Sequence, residues 1–479
     1  MLKFALTLLL LGFKVVAAPP LAPKPPATMA VSAELLTPLS SYHSRHGDAV
    51  EAMITTPVCV DGAPLAQSTL EGVVKRVHSV GLGLLHETAS LTIDLQTLRL
   101  AGGELYPIEA RLTSIDNARE RVDRHGVIHG IRATDSISSR AASHLFFYAH
   151  VHPALIIPSL AVESWFFHFP EPEFDYAPGT EMEVEVSFPP SLGAVAACPQ
   201  PAPAPEDVAA WQNLVDGLPA WTYSKRQPQP MDPVNLLFLA PLASLERAFR
   251  AAGWTGSQPN SVRTGFKAIR AIAEDRSYAD APMRTLLLDG QPADLRIQRS
   301  LNTFDKRDHM RIWQRDEDWQ GREVWAAAAI QDLAATFSTH HPFGFTHRIQ
   351  TDVDIERDKI VRELEFTGCV DSVVRTQRPP DAVGTEARKG LETDSRVAVV
   401  LLNSCEHPRE LPMPAAQAAA DKSAEPPVET RIIRRFTLTA RNHFMRDNLF
   451  WRSGEMLRYG WHEFRDWETE RKQKRLARM

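Results

Sequence analysis

The segment VNLLFLAPLASLERAFRAAGW, residues 234–254, decides the fold class of the second half of this 479-residue chain. Residues 234–240 are almost wholly apolar and have the length of a strand. Leu242, Leu245 and Phe249 then recur at helical spacing. A buried strand that leads directly into an amphipathic helix predicts a sheet with helices packed against it.

Further strands and helices follow along the chain. Helical spacing recurs in residues 262–274 and 354–367, and Gly368 ends the second of these helices. Strand composition recurs in RTLLLDG (284–290), ADLRIQRSL (293–301), HMRIWQR (309–315), REVWAAAAI (322–330), VDSVVRT (370–376) and SRVAVVLL (395–402). Residues 232–404 are therefore predicted to form a sheet-centred α/β (α+β) domain.

Residues 34–197 show the shorter, alternating pattern of half-buried strands. Apolar and polar residues alternate in ASLTIDL (89–95) and EMEVEVSF (181–188). Gly102-Gly103 is a hairpin signal, because both glycines tolerate positive φ. We predict an antiparallel β-domain, barrel-like or sandwich-like. The order of SSYHSRHGDAVEAMITTPV, STLEGVVKRV and APGTEMEVEV resembles an envelope-type β-domain, which identifies a kind of domain and no chemistry.

Segments rich in proline or alanine separate these regions. Residues 19–33 are predicted to be a Pro-rich spacer, residues 198–231 a Pro-rich linker and residues 405–430 an Ala/Pro-rich linker. Proline lacks the amide donor that helices and sheets require, so a dense run of prolines stiffens the chain without pairing it. We therefore expect a multi-domain protein with two independently packed bodies on either side of residues 198–231.

Residues 1–18, MLKFALTLLLLGFKVVAA, have the pattern of a secretory signal peptide, because Lys3 precedes an apolar run that ends in small residues. The run is shorter than the roughly 20 apolar residues needed to cross a bilayer. We expect an exported protein, periplasmic or associated with the cell envelope, with no transmembrane span in the mature chain. Whether the segment is cleaved or kept as an anchor is left open.

Export permits disulfides between the four cysteines. Cys59 and Cys198 bracket the first domain, and Cys369 and Cys405 bracket the end of the second. One bridge in each domain is the hypothesis, and four buried free thiols are the alternative.

Composition and absent motifs argue against several classes of function. A net charge of −6 lacks the basic footprint that nucleic-acid binding requires, so no nucleic-acid partner is expected. The sequence contains no G-x-S-x-G, no H-E-x-x-H, no phosphate-binding glycine loop and no dinucleotide fingerprint. A hydrolase of a familiar kind is therefore disfavoured.

Four motifs of the second domain carry a family resemblance. DPVNLLFLAPLASLERAFRAAGW, HMRIWQR, GREVWAAAAIQD and THRIQTDVDIERD stand in the order and approximate spacing of the LssY C-terminal domain family, over about residues 232–402. The resemblance implies an envelope domain of unsettled biochemical function, which in some proteins is attached to membrane-embedded phosphatase-like or transporter-like segments. It implies no catalytic residues.

The same domain contains a candidate metal site. In a strand, His309 points to the face opposite Met310, and His347, Asp352 and Asp354 follow in the last motif. If these strands are neighbours, the two histidines and two aspartates converge. Imidazole and carboxylate donors suit zinc, manganese or iron, and a metal-bound water would serve as nucleophile.

A structural reading explains the same residues. Asp352 or Asp354 caps the helix that follows, and Glu356, Arg357 and Asp358 make ordinary surface pairs on its first turns. This reading is the favoured one. Apart from a divalent metal at this site, no cofactor is expected.

The C-terminal residues 431–479 suggest a contact surface. RIIRRFTLTARN (431–442) has strand composition, and a helical tail rich in tryptophan and arginine follows it. Trp451, Trp461 and Trp467 with nearby arginines suit a helix on a membrane surface or against an envelope protein, and the alternative is a helix packed on its own domain.

Two functions follow. The first is an exported cell-envelope protein whose LssY-type domain acts as an interaction or scaffolding module. The alternative is a metal-assisted hydrolase of envelope lipids or glycans. Whether any catalysis occurs, the substrate or partner and the oligomeric state are not decided by the sequence.

Overall fold

The structure, a computed structural model, describes residues 27–56, 58–65, 68–115, 119–136, 154, 158, 170–197, 204–224, 227–273, 278–300, 306–337, 345–379, 390–410, 426–446, 453, 457 and 461. The predicted signal peptide at 1–18, Cys198, Trp451 and Trp467 lie outside these residues. Within the described part, no helix is both long and apolar enough to cross a membrane.

In the described segments 27–136 and 170–197 of the first unit, which have short gaps, the regular elements are strands and short 3₁₀ turns. Its strands are β1 (Ala27–Leu35), β2 (Leu39–Ser40), β3 (Ala49–Ile54), β4 (Val58–Val60), β5 (Ala63–Pro64), β6 (Thr69–His78), β7 (Ser90–Arg99), β8 (Leu105–Pro107), β9 (Glu109–Ile115), β10 (Arg121–Val122), β11 (Val127–His129), β12 (Asp175–Tyr176), β13 (Glu181–Phe188) and β14 (Val195–Ala197).

The main sheet of this unit is antiparallel and nearly closes into a barrel. Its strand order is β10-β11-β7-β6-β3-β1-β13-β9, and the end strand β9 lies against β7 and β10. Met182, Val184 and Val186 of β13 point into the core, as their alternation predicts. The hairpin signal is also confirmed, since β7 pairs with β8 across Gly103, which has a φ of 94°. We call this unit the barrel.

The barrel begins earlier in the chain than the sequence indicated. Strand β1 pairs with β13 from Ala27 onward, so residues 27–33 belong to the sheet and not to the spacer. The prolines that prevent pairing end at Pro26. Beyond them Val31, Ala33 and Leu35 alternate into the core.

The second unit, residues 204–410, combines helices with a mixed sheet. Its elements are α1 (Pro205–Asp216), β15 (Trp221–Ser224), β16 (Gln227–Pro233), β17 (Leu236–Leu239), α2 (Leu242–Ala251), β18 (Thr255–Gly256), α3 (Val262–Ala273), β19 (Leu286–Leu288), β20 (Gln291–Pro292), β21 (Leu295–Ser300), β22 (Arg307–Trp319), β23 (Arg322–Phe337), β24 (Phe345–Ile349), α4 (Asp354–Thr367), β25 (Val370–Gln377) and β26 (Arg396–Leu402).

The larger sheet of this second unit has helices on both faces. Its order is β18-β21-β22-β23-β17-β26-β25, with β24 on β23, and β17 runs parallel to β26 while the other pairs are antiparallel. Helices α2 and α4 pack on one face and α1 packs on the other. The predicted sheet-centred architecture is confirmed. We call this unit the mixed-sheet unit.

Much of the predicted linker at 198–231 is part of the mixed-sheet unit. Trp211, Val215 and Leu218 recur at helical spacing in and just after α1, and all three are buried in the core beneath the sheet. Strand β16 contains Pro228 and Pro230 but lies at the edge of the small sheet β16-β15-β19-β20, where proline is tolerated. Because of its high proline content, this segment was predicted to be a linker and not to contain α1 and β16.

The predicted strand at 431–442 is instead part of a helix, α5 (Val428–Arg446). Arg434 and Leu438 lie one turn apart, and both contact the barrel: Arg434 donates to the carbonyl of Gly81, and Leu438 enters the barrel core. A helix can align these two residues on one face, so contact with the barrel overrides the strand preference of the β-branched residues around them.

One disulfide of the described residues joins Cys369 to Cys405, as predicted. It connects the end of α4 to the segment after β26. Cys59 is also disulfide-bonded, and its predicted partner Cys198 lies outside the described residues.

Candidate functional site

The barrel and the mixed-sheet unit meet across a buried layer of charged side chains. Glu34 on β1 and Glu181 on β13 are register partners in the barrel sheet. Their neighbours Ala33 and Met182 point into the barrel core, so the two glutamates point outward. The mixed-sheet unit covers them there, and Glu34 is 2% exposed.

Arg299 of β21 bridges the two units. Its guanidinium donates to Glu34 Oε1 of the barrel at 2.6 Å and to Glu363 Oε1 of α4 at 2.6 Å. The second oxygen of Glu363 accepts a hydrogen bond from Trp254 Nε1 at 2.7 Å. The Arg299 guanidinium therefore has an anion from each unit in a site closed to water.

Lys359 of α4 makes a second bridge beside the first. Its ammonium lies 2.6 Å from Glu181 Oε2 of the barrel and 2.7 Å from Asp308 Oδ2 of β22. The other oxygen of Asp308 accepts from Gln331 Nε2 at 2.7 Å. Glu356, Lys359 and Glu363 stand three or four residues apart, so one face of α4 supplies three of the buried charged residues.

Carboxylates outnumber cations in this group, which we call the junction cluster. Its members are Glu34, Glu181, Arg299, Asp308, Glu356, Lys359 and Glu363. Two cations do not neutralise the charge of five ionised carboxylates in a medium of low dielectric constant. Some of these carboxyl groups must therefore bind protons at neutral pH.

Burial determines which carboxyl groups do so. It raises the pKa of Glu34 to about 7, although Arg299 acts in the opposite direction. Burial and then the charge of Asp308 raise the pKa of Glu356 well above its usual range. Neither carboxyl oxygen of Glu356 has a hydrogen-bond partner among the described residues, which agrees with a neutral group.

Glu181 behaves in the opposite way. Burial acts to raise its pKa, but the nearby charges of Lys359 and Arg299 prevail and lower the pKa to about 2. Glu181 therefore stays ionised under all ordinary conditions. The arrangement binds protons at Glu34 and Glu356 and holds charge at Glu181.

The predicted metal ligand His309 lies on the other face of the mixed sheet. Its Nδ1 is 3.5 Å from Asp332 Oδ2, which also accepts from Arg307 Nε at 3.0 Å. Arg311 pairs with Asp232 in the same row at 2.8 Å. Met310 lies in the core on the face covered by α2 and α4, so the predicted division of the strand into two faces is confirmed.

The backbone register does not bring His309 and His347 together. His309 pairs with Ile330 of β23, whereas His347 of β24 pairs with Ala335 of the same strand. Strands β22 and β24 pair with opposite edges of β23. The two pairing positions on β23 are roughly 16 Å apart, at about 3.3 Å for each residue. The side chain of His347 lies outside the described residues.

Asp352 and Asp354 lie at the start of α4, but neither is its N-cap, which is Val353 and makes no side-chain capping bond. Asp352 Oδ1 accepts from the backbone N–H of Asp354 at 3.1 Å, and Asp354 Oδ1 pairs with Arg357 Nη1 at 3.0 Å. Among the described residues, no group of three or more histidine, cysteine or acidic side chains is arranged to hold a metal ion.

The predicted environment is wrong for two residues of this helix. Glu356 and Arg357 were expected to make surface pairs, but both side chains are buried. Arg357 lies among Asp354, Asp358 and Asp394, and Glu356 faces the junction cluster. The available signal was the spacing of Glu356, Lys359 and Glu363, which places them on one face of the helix beside the apolar Ile360 and Leu364.

Comparison with protein families identifies part of the chain. The family model of the LssY C-terminus matches residues 217–392, which agrees with the resemblance carried by the four motifs. The match includes Arg299, Asp308, Lys359 and the other mixed-sheet members of the junction cluster, but not Glu34 and Glu181. No curated protein matched the chain significantly.

Proposed function

From the match of residues 217–392 to the LssY C-terminus family, we propose that this protein is an exported cell-envelope scaffold. In this proposal the LssY-type segment is an interaction module that the barrel holds in one fixed orientation. The observation that carries it is the buried bridge from Glu34 through Arg299 to Glu363, which joins the two units.

The energetics of buried ion pairs favour an orienting role for this bridge. Such a pair adds little net stability compared with well-packed apolar side chains, because desolvation offsets most of the attraction. Removing one partner, however, leaves a buried charge uncompensated at a cost of about 3–5 kcal/mol. A displaced docking of the two units carries the same penalty, so the cluster selects one arrangement.

Two features support export. Residues 1–18 have the pattern of a secretory signal. The disulfide between Cys369 and Cys405 is of a kind that persists in oxidising compartments such as the periplasm.

The metal-assisted hydrolase alternative receives no specific support from the geometry. His309 lies in a row of ion pairs on one face of the sheet. Asp352 and Asp354 lie at the start of α4, which packs on the opposite face. Elemental analysis of the purified protein tests it. Stoichiometric metal that is lost in His347→Ala would favour the hydrolase.

Small-angle scattering tests the scaffold proposal. We expect the wild-type protein to scatter as one compact particle and Arg299→Met to show a larger maximum dimension, because Glu34 and Glu363 lose their shared cation. Arg296→Met, on the same strand but half-exposed, is the matched control and should scatter like the wild type. Wild-type data that require two freely moving units would contradict the proposal.

A further inference from the structure

Helix α3 presents an apolar ridge to solvent. Val262, Phe266 and Ile269 are 92%, 53% and 45% exposed, and their spacing places them along one side of the helix. The opposite side packs Ala271 and Ile272 into a small cluster on the mixed-sheet unit. Helix α3 is thus anchored by one face and exposes apolar side chains on the other.

Positive charges flank this ridge. Residues Val262–Ala273 contain Arg263, Lys267 and Arg270 and no acidic residue. The acidic residues Glu274 and Asp275 come only after the end of the helix. Arg263 and Lys267 are exposed and stand next to Val262 and Phe266 in sequence. All charged residues of the helix itself are therefore cations.

The size and shape of the ridge favour a lipid surface over a protein partner. A helix of 12 residues is about 18 Å long, and a ridge about 10 Å wide along it covers on the order of 180 Å². A stable protein interface needs about 800 Å² from each partner. A membrane surface makes no such demand, because single apolar side chains insert between lipids while neighbouring cations meet the anionic headgroups.

We propose that α3 is a membrane-surface helix for anionic phospholipid. Val262, Phe266 and Ile269 enter the boundary between headgroups and acyl chains, and Arg263 and Lys267 pair with the phosphates. The proposal goes beyond scaffolding and stands apart from it, since it uses a helix that takes no part in the junction cluster.

Co-sedimentation with vesicles tests the proposal on the full chain. We expect binding to vesicles that contain phosphatidylglycerol and phosphatidylcholine, and weaker binding to phosphatidylcholine alone. The double variant Phe266→Ser, Ile269→Ser should lower the partition coefficient by about tenfold or more, because each side chain loses most of its apolar transfer energy. Arg263→Gln with Lys267→Gln should remove the preference for the anionic lipid.

A matched variant and a local measurement keep the test specific. Phe436→Ser changes a phenylalanine on α5 that is more exposed than Phe266, at 70%, and should leave binding unchanged. Hydrogen exchange of residues 262–273 should slow only with anionic vesicles, which separates α3 from the apolar run near the N-terminus. Exchange that is unaffected by vesicles, binding lost in Phe436→Ser instead, or protection of α3 by self-association without lipid would overturn the proposal.

Discussion

The central sheet of the mixed-sheet unit carries a buried polar network on each face. The two networks differ in whether they extend beyond this unit. On the α1 side, Arg307 and His309 lie beside Asp332, and Arg311 pairs with Asp232, all within one unit. On the α4 side, the junction cluster continues into the barrel. A network closed within a unit stabilises that unit alone, whereas one shared between units makes the position of each depend on the other.

The two networks also differ in their balance of charge. The α1-side network sets two arginines and a histidine against two aspartates. The junction cluster has more carboxylates than cations, and its surplus is met by proton binding at Glu34 and Glu356. We therefore expect the junction to respond to pH near neutrality.

The largest effect is expected from Lys359→Met. This change removes the cation between Glu181 and Asp308 and leaves two carboxylates facing each other in a buried site. We expect a loss of about 3–5 kcal/mol in the free energy of unfolding, measured by urea denaturation at pH 7. Arg362→Met, half-buried on the same helix, is the control and should cost far less.

Arg311→Met sharpens the comparison between the two faces. It removes the cation that pairs with Asp232 and should destabilise the mixed-sheet unit by a similar amount. Hydrogen exchange should show the barrel unchanged in Arg311→Met and less protected in Lys359→Met. If both variants leave the barrel equally protected, the junction does not couple the units.

The pH dependence of stability should follow Glu34. Its folded pKa of about 7 lies above the ordinary value of 4.5, so the folded state binds the proton more tightly than the unfolded state. The corresponding stabilisation is complete below pH 4.5 and is lost as the pH rises through 7. This pKa shift corresponds to about 3 kcal/mol in the free energy of unfolding.

Denaturation of Glu34→Gln between pH 5 and 8 measures this contribution. The variant should lose less stability than the wild type as the pH rises, because glutamine stays neutral. Glu185→Gln, an exposed position on β13, should keep the wild-type slope. Parallel curves for wild type and Glu34→Gln would show that Glu34 does not titrate in this range.

The smallest effect is expected from Asp352→Ala. The aspartate accepts a hydrogen bond from one backbone N–H at the start of α4, and loss of such a bond costs about 1 kcal/mol. Asp371→Ala, at an exposed position of β25, should cost less. A loss several times larger would show that Asp352 does more than accept this hydrogen bond. Such a result would favour the metal site that the sequence suggested.

The elements that could be predicted from the sequence are those with a local cause. The strand and helix after residue 234 follow from an apolar run and helical spacing, and α4 ends at Gly368 because this residue adopts a φ of 74°, which glycine tolerates. The outward position of Glu181 follows from the alternation of β13 in the same way.

The junction cluster could not be predicted, because its cause is not local. Glu34 and Arg299 are 265 residues apart in the chain. Charged residues on a strand or a helix indicate a surface exposed to water, and nothing near Glu356 or Arg299 reveals that a second unit covers this surface. The same holds for α5, whose helical form depends on contacts with a barrel loop more than 350 residues earlier.

Helix α5 has a consequence for the order of folding. Leu438 of α5 fills part of the core of the barrel, the unit that is synthesised first. Arg434 of the same helix donates a hydrogen bond to the carbonyl of Gly81 in the barrel. The barrel therefore cannot reach its final packing while the protein is still being translated. It is completed only once α5 has been synthesised.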